Sequence, residues 1–371
     1  MKVLISPNAF KGTLTATEVG EIINKFIKES SPGIQTKMIP IADGGDGTCE
    51  LLTKVLGLKQ ISTWTLDPFG RPILGTFGLD TTSKKAFIDV STASGIGLIG
   101  SETKNPFVAS TFGTGLLIQK AIEEGAEEII LGLGGSATID LGIGILAALG
   151  LSFLDEKGRS LTPFSPEYLG RISHIQRSPN FPKINFICLC DVKNTFLGSK
   201  GAIPVFGSQK GLEEQEFKSY EATCETVIKK MFSKMKKSFE DQVGFGAAGG
   251  IALGLSAFFP LEIKFGSTYF FEKIKLGEAV KWADLIITGE GKYDSQSNEG
   301  KACFELLQLA KNQQKKSVLI SSGNEAFNEG FNEILILPEL DFSDPDYKTK
   351  ARENLLGLIK SQLKVILEEG V

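Results

Sequence analysis

Four glycine-rich stretches set the strongest limit on what this chain can fold into: ADGGDGT (42–48), GLGGSATIDLGIG (132–144), GFGAAGG (244–250) and GEGKYDSQSNEGK (289–301). Each follows an apolar strand-like run or opens a helix-like one, and between them they carry carboxylates and hydroxyls. Open α/β sheets bind ligands at the carboxyl ends of their strands. There glycine lets backbone N–H groups approach an anion, and the next helix N-terminus favours negative charge. Any one such loop alone is better read as a tight turn with an aspartate cap. Four in one chain point to an anion-rich ligand.

The runs between the loops give the organisation. Residues 2 to 6 (KVLIS) read as a buried strand, TLTATEVGEIINKFIKES as a helix, TKMIPIAD as a second strand and DGTCELLTKVLG as a second helix. From about residue 61 the pattern becomes an antiparallel meander around the DPFG and LDTTS turns. Helix TGLLIQKAIEEG, strand EEIILGL, helix ILAALG, strand INFICLC and a charged helix over 213–240 follow. After residue 283 the strand–helix alternation returns in ADLIITGEG, GKACFELLQLAKN, SVLISSG, EILILPE and a terminal helix. The expectation is an α/β chain of two domains: residues 1–60 plus 283–371 form a doubly wound parallel domain, and residues 61–282 an inserted mixed α/β domain. The active site is expected in the cleft between them.

Composition excludes several classes. Forty basic against forty-four acidic residues leave a net charge of −4, no global field for nucleic acid or an anionic membrane. No apolar run reaches transmembrane or signal-peptide length, so the expected address is the cytoplasm. Five scattered cysteines without a CxxC, and one histidine (His174), argue for thiols in the core rather than zinc or a histidine relay. GFGAAG matches a dinucleotide fingerprint through Gly244, Gly246 and Gly249, but the charged KKSFEDQV before it is a poor β1; no GxxxxGK[ST] occurs.

Chemistry must therefore run on carboxylates, lysines and backbone amides. Asp43, Asp46, Asp140, Asp191, Glu290 and Asp294 cluster at the glycine loops, and Lys11, Lys193, Lys200, Lys292 and Lys301 lie beside them. Phosphoryl transfer needs these part types: magnesium on the phosphates, a group orienting the attacking hydroxyl, and positive charge or amides on the transferred group. Asp191 weighs most, because a carboxylate ending the apolar run INFICLC is costly to bury without a partner or a purpose.

ISPNAFKGTLTA, PIADGGDGT, GLGGSATIDLGIG, CDVKNTFLGSKGA, FGSQKG, GAAGGI and GEGKYDSQSNEGK occur in the order and approximate spacing of the type I bacterial glycerate kinases, which this chain resembles over essentially its whole length. The resemblance implies a flavodoxin-like α/β domain built from both chain ends with a different α/β domain inserted. It further implies ATP, Mg2+ and D-glycerate, with 2-phosphoglycerate favoured over 3-phosphoglycerate. Matching positions give Lys11, Asp46 and Asp191 as catalytic candidates. Gly44, Gly45, Gly134, Gly135, Ser136, Thr138, Asn194, Gly249, Gly250, Gly289, Gly291, Ser295, Gln296 and Lys301 are candidates for substrate and phosphate binding. Asp43, Asp191, Glu290 and Asp294 are candidates for the metal.

Departures fall inside the motifs. Phe112 stands where relatives usually show arginine, Thr195 and Ser208 replace prolines, and Ile139 and Leu141 flank Asp140. Phe112 cannot grip a carboxylate as arginine would, which keeps open a kinase of another small hydroxy acid. A non-catalytic metabolite or nucleotide sensor of the same fold is the third reading, and oligomerisation is left open.

Overall fold

The computed structural model describes residues 1–100, 104–293 and 301–369. Packing divides the chain into two compact units, Met1–Asp43 with Ser267–Val371, and Gly44–Gly266. Along the described residues the strands are β1 (Lys2–Ile5), β2 (Gln35–Met38), β3 (Lys59–Leu66), β4 (Pro72–Asp80), β5 (Lys85–Asp89), β6 (Glu128–Gly132), β7 (Leu151–Leu154), β8 (His174–Arg177), β9 (Asn185–Cys190), β10 (Leu261–Phe265), β11 (Leu285–Lys292), β12 (Lys316–Ser322) and β13 (Glu333–Leu337).

In the first unit one sheet runs β13-β12-β11-β1-β2 and is parallel throughout. Counted within the unit this is the order 2-1-3-4-5 of flavodoxin-like doubly wound folds, with the switch point between β1 and β11. The central strands are near-continuous apolar runs because helices cover both faces, whereas β2, QTKM, is only half covered, as suits an edge. Helix Ala16–Ser30 starts at a capping box: Thr15 Oγ1 accepts from Glu18 N at 3.2 Å, and Glu18 Oε2 accepts from Thr15 N at 2.8 Å. It lays Val19, Ile23 and Ile27 against Val3, Ile5, Ile287, Ile320 and Leu355. Each such side chain, fully buried, stabilises the unit by about 1.5–3 kcal/mol.

The second unit holds a six-stranded sheet, β10-β9-β6-β5-β4-β3. The expected meander is present, since β3, β4 and β5 pair antiparallel; β5, β6, β9 and β10 then continue in parallel. Register aligns the carboxyl ends of the parallel part: Asp89 pairs with Gly132, Gly132 with Leu189, and Cys190 with Phe265. Below them Ile88, Leu131, Ile129, Cys188 and Ile251 build the core.

Some features depart from the sequence-based expectation. Residues 44–60 pack with the second unit, because helix Thr48–Val55 lies on β4, β5 and β6. Residues 267–282 pack with the first, where helix Leu276–Trp282 meets β1 and helix Ala302–Asn312. The charged helix over 213–240 is shorter, Phe217–Lys234, because Lys236 takes a positive φ and Phe239 turns back to meet Phe232 edge-on at 5.2 Å. The hairpin β7–β8 was not anticipated; its strands are four residues each and one is largely exposed, too short for a periodic signal. All five cysteines are buried and form no disulfide, as expected.

Candidate active site

In the first unit the loops leaving β1, β2 and β11 carry the candidates. Asn8 N donates to Gly289 O at 2.8 Å, and Asn8 Nδ2 donates to Asp43 Oδ2 at 3.1 Å, so Asp43 is held from the segment that continues into Lys11. Both residues are buried. Thr288 Oγ1 donates to Ser6 O at 2.8 Å, locking β11 to β1 directly before Glu290. Asp43 and Glu290 converge electrostatically on one thiol: burial first, then Glu290, with Asp43 adding, push Cys303 well above its ordinary pKa. Packing demands glycine at 289 and is tight at 291. A Cβ on Gly289 would stand 2.6 Å from Ile320 O, and one on Gly291 would stand 3.3 Å from Phe10 Cα and 3.4 Å from Lys11 N. Lys11 is exposed, and Lys301 caps the start of helix Ala302–Asn312 with extended backbone. Asp294, Ser295 and Gln296 lie outside the described residues.

In the second unit the candidates gather on the aligned carboxyl edge. Gly44 and Gly47 hold φ of 95° and 78°, which permits the tight turn into helix Thr48–Val55. Thr48 Oγ1 ties that turn together, accepting from Gly44 N at 3.1 Å and donating to Gly45 O at 2.9 Å. The β6 loop presses on the same turn. A Cβ on Gly134 would lie 2.2 Å from Gly45 C and 2.3 Å from Asp46 N, so only glycine lets the two backbones approach this closely. Gly135 lies beneath Asp46, its imagined Cβ 3.1 Å from Asp46 Cγ; Asp46 itself is exposed. Gly44 meets the end of β9, its imagined Cβ 3.0 Å from Cys190 C and O, one residue before the half-buried Asp191. Asp46, Gly134–Thr138 and Asp191 therefore share one sheet edge.

Asp89, which sequence reasoning passed over, anchors this edge. It closes the N-terminus of helix Thr48–Val55, a place where an anionic ligand was expected to be favoured. Burial raises its pKa to about 7 against the lowering effect of the Cys49 and Glu50 amides, with Asp46 and Glu50 raising it further. The signal was present in FIDVS: a carboxylate ending an apolar run, the pattern that singled out Asp191.

Asp140 is committed to structure. Its Oδ2 accepts from Thr111 N and Thr111 Oγ1, both at 2.8 Å, and from Gly144 N at 3.2 Å, and Oδ1 accepts from Gly142 N at 3.2 Å. Burial still pushes its pKa up despite these donors. Phe112, at the start of the helix held in this way, meets Phe164 edge-on at 6.0 Å. Asn194 is likewise engaged in its own loop, Nδ2 donating to Lys200 O at 2.7 Å while its carbonyl accepts from Gly244 N and Gly246 N. Gly249 and Gly250 have positive φ and face protein: a Cβ on Gly249 would stand 2.1 Å from Thr138 O, and one on Gly250 would stand 2.7 Å from the Phe196 ring. A second residue missed from the sequence is Lys210, a buried ammonium that donates to Ser136 Oγ at 3.1 Å and Thr138 O at 2.9 Å. Burial draws its pKa down to about 7, with Asp140 opposing.

Among the described residues no three His, Cys, Asp or Glu side chains are grouped so as to hold a metal by themselves, and no helix is long and apolar enough to cross a membrane.

A parallel α/β scaffold with glycine loops and carboxylates at strand carboxyl ends defines a class of proteins that bind anionic, typically phosphorylated, ligands. The Glycerate kinase family pattern matches residues 3–366. The chain is 34% identical to the glycerate kinase of Haemophilus influenzae over 377 residues, covering 99% of each. It is also 34% identical to the glycerate 2-kinase of Escherichia coli K12 over 324 residues, 86% of this chain and 85% of that one. A crystal structure assigned to glycerate kinase 2 of Salmonella typhimurium LT2 superposes with a TM-score of 0.82 at 29% identity, covering 100% of this chain and 99% of that one. The chain belongs to the glycerate kinase family.

Proposed function

We propose that this protein is a glycerate kinase that transfers the γ-phosphoryl group of ATP to D-glycerate, giving 2-phosphoglycerate and ADP. The observation that carries the reading is the shared carboxyl edge on which Asp46, the Gly134–Thr138 loop and Asp191 meet, within a chain matched by the family over residues 3–366.

In this reading the hydroxyl oxygen of glycerate attacks phosphorus, the bond from phosphorus to the β,γ-bridging oxygen breaks, and ADP leaves with that oxygen. The hydroxyl proton passes to a carboxylate. Asp191, half-buried at the end of β9, is the candidate acceptor, with Asp46 the alternative. The Gly134–Thr138 loop offers backbone amides to anionic oxygen, and Lys11 and Lys301 are the candidates for positive charge on phosphate. Hard carboxylate oxygens suit Mg2+, which takes one or two protein carboxylates alongside substrate phosphates, so the absence of a three-ligand cluster among the described residues does not conflict with it. Asp43 and Glu290, both in the first unit, are the described residues that would hold it. Bound there, the ion would neutralise charge on the phosphates. The mechanism rests mainly on positioning and electrostatics.

The test is ADP release from purified protein with MgATP and D-glycerate, against L-glycerate and no-acid controls, followed by phosphorus NMR of the product. Release dependent on D-glycerate, with phosphorus on the 2-oxygen, is expected. Release only with another hydroxy acid would overturn the substrate assignment, and none with any acid would overturn the kinase assignment.

A further inference from the structure

Ser136 is surrounded by donors. Its Oγ accepts from Lys210 Nζ at 3.1 Å and from Thr138 N at 3.3 Å, which fills the two lone pairs a hydroxyl has. An ammonium has protons and no lone pair, so while Lys210 is charged this polarity cannot reverse. The hydroxyl proton must then be donated elsewhere. Within the fold its acceptors are Thr138 O at 3.4 Å and Thr138 Oγ1 at 3.5 Å, both beyond the 2.5–3.0 Å range of a good O–H···O bond. Thr138 O is already taken by Lys210 at 2.9 Å. Ser136 lies on the Gly134–Thr138 loop, and Lys210 reaches that loop from the separate short helix Ser208–Lys210.

We propose that Lys210 is a positioning residue that makes the Ser136 hydroxyl an obligatory hydrogen-bond donor, which recognises an anionic oxygen of the ligand: the carboxylate of the hydroxy acid or a phosphate oxygen. A lysine behind a serine that has no good acceptor among the described residues leaves one directed O–H for a ligand oxygen. The backbone of this loop cannot shift to improve the internal bond, because Gly134 is pressed against Gly45 and Thr138 O against Gly249. The inference rests on the proposed function only in taking this loop as part of the substrate site.

The test is a double-mutant cycle read by calorimetric titration of wild type, Ser136→Ala, Lys210→Met and the double variant, with D-glycerate in one arm and orthophosphate in the other. ADP formation by each protein is measured alongside. Each single change is expected to weaken binding of the recognised probe by about tenfold, as for a lost hydrogen bond to a charged group, and to raise KM by more than it lowers kcat. The double variant is expected to match either single, because Lys210 acts through Ser136. The arm that responds tells carboxylate from phosphate. Multiplication of the two effects would overturn the inference, as would wild type binding neither probe. Ser136→Ala binding both probes within about twofold of wild type would overturn it even if Lys210→Met failed to fold. Wild type that binds D-glycerate without forming ADP would sink the kinase assignment and leave the cycle to decide on Lys210.

Discussion

Asp89, at the end of β5, grips Cys49: its Oδ1 accepts from Cys49 N at 3.0 Å, and its Oδ2 accepts from the neighbouring Glu50 N at 2.9 Å. The end of β5 thereby fixes the helix that follows the Gly44–Gly47 turn, so the turn's position depends on a residue forty positions further along the chain. Truncation by Asp89→Ala should leave two helix N–H groups without acceptors. The expected loss is about 1–3 kcal/mol, read from urea unfolding at pH 7.

The same carboxylate makes stability depend on pH. With a folded pKa of about 7 against 3.8 for an ordinary aspartate, the folded state binds more protons than the unfolded one between these values. Its contribution to stability therefore falls as pH rises through that window and levels off above it, by at most about 1.4 kcal/mol per unit. Urea midpoints of wild type and Asp89→Asn between pH 4 and 8 should diverge accordingly. Parallel pH curves for the two proteins would remove Asp89 as the source.

Replacing Gly134 by alanine would put a methyl group 2.2 Å from the Gly45 carbonyl carbon. One backbone must move, at an expected cost of about 1–3 kcal/mol. Because both backbones carry candidate binding residues, KM for ATP or D-glycerate should rise by more than tenfold, a change on the order of 1.4 kcal/mol or more. Unaltered kinetics in a well-folded Gly134→Ala protein would take this contact out of the site.

Asp191→Asn keeps the shape of the side chain and removes its basicity. Turnover should fall by about 10²–10⁴ with the unfolding curve unchanged, as for loss of a general base. A variant within about threefold of wild type would instead leave Asp46 as the proton acceptor to test.

Chelation of divalent cations should abolish ADP release, and Glu290→Gln should raise the Mg2+ concentration needed for half-maximal rate by about tenfold. KM for D-glycerate should stay within about twofold if Glu290 serves the metal alone. A normal Mg2+ requirement in Glu290→Gln would exclude it as a ligand.

The parallel architecture was legible because buried strands such as KVLI and SVLI are continuous apolar runs, and the first helix shows apolar residues at helical spacing. The glycine loops were legible as loops, while the reason for each glycine was not. Gly134, Gly249 and Gly289 answer to backbone from distant segments, and no local pattern reports that. Asp140 and Asn194 look in sequence like ligand-binding groups; their donors and acceptors come from Thr111 and Lys200, which only folding supplies. Lys210 was invisible for the same reason, since a lysine in FGSQKG reads as a solvated charge until Ser136 and Thr138 are seen against it.

Pairing of Val3 with Leu285 and of Ile5 with Ile287 ties residues about 280 positions apart into neighbouring strands of the first unit. The long excursion between them begins at Gly44 and returns at Gly266, and these two glycines touch, with 2.8 Å between an imagined Cβ on Gly44 and Gly266 Cα. During synthesis β1, an apolar strand, must therefore wait for its β11 partner until the ribosome has passed residue 285; the intervening unit, complete by residue 266, is free to fold first. Once it has folded, its two ends lie side by side, and the loop-closure cost of pairing β1 with β11 drops from that of a chain of more than two hundred residues to that of a short tether. The place of the insertion thus lets the later-starting unit finish folding before the earlier-starting one can close.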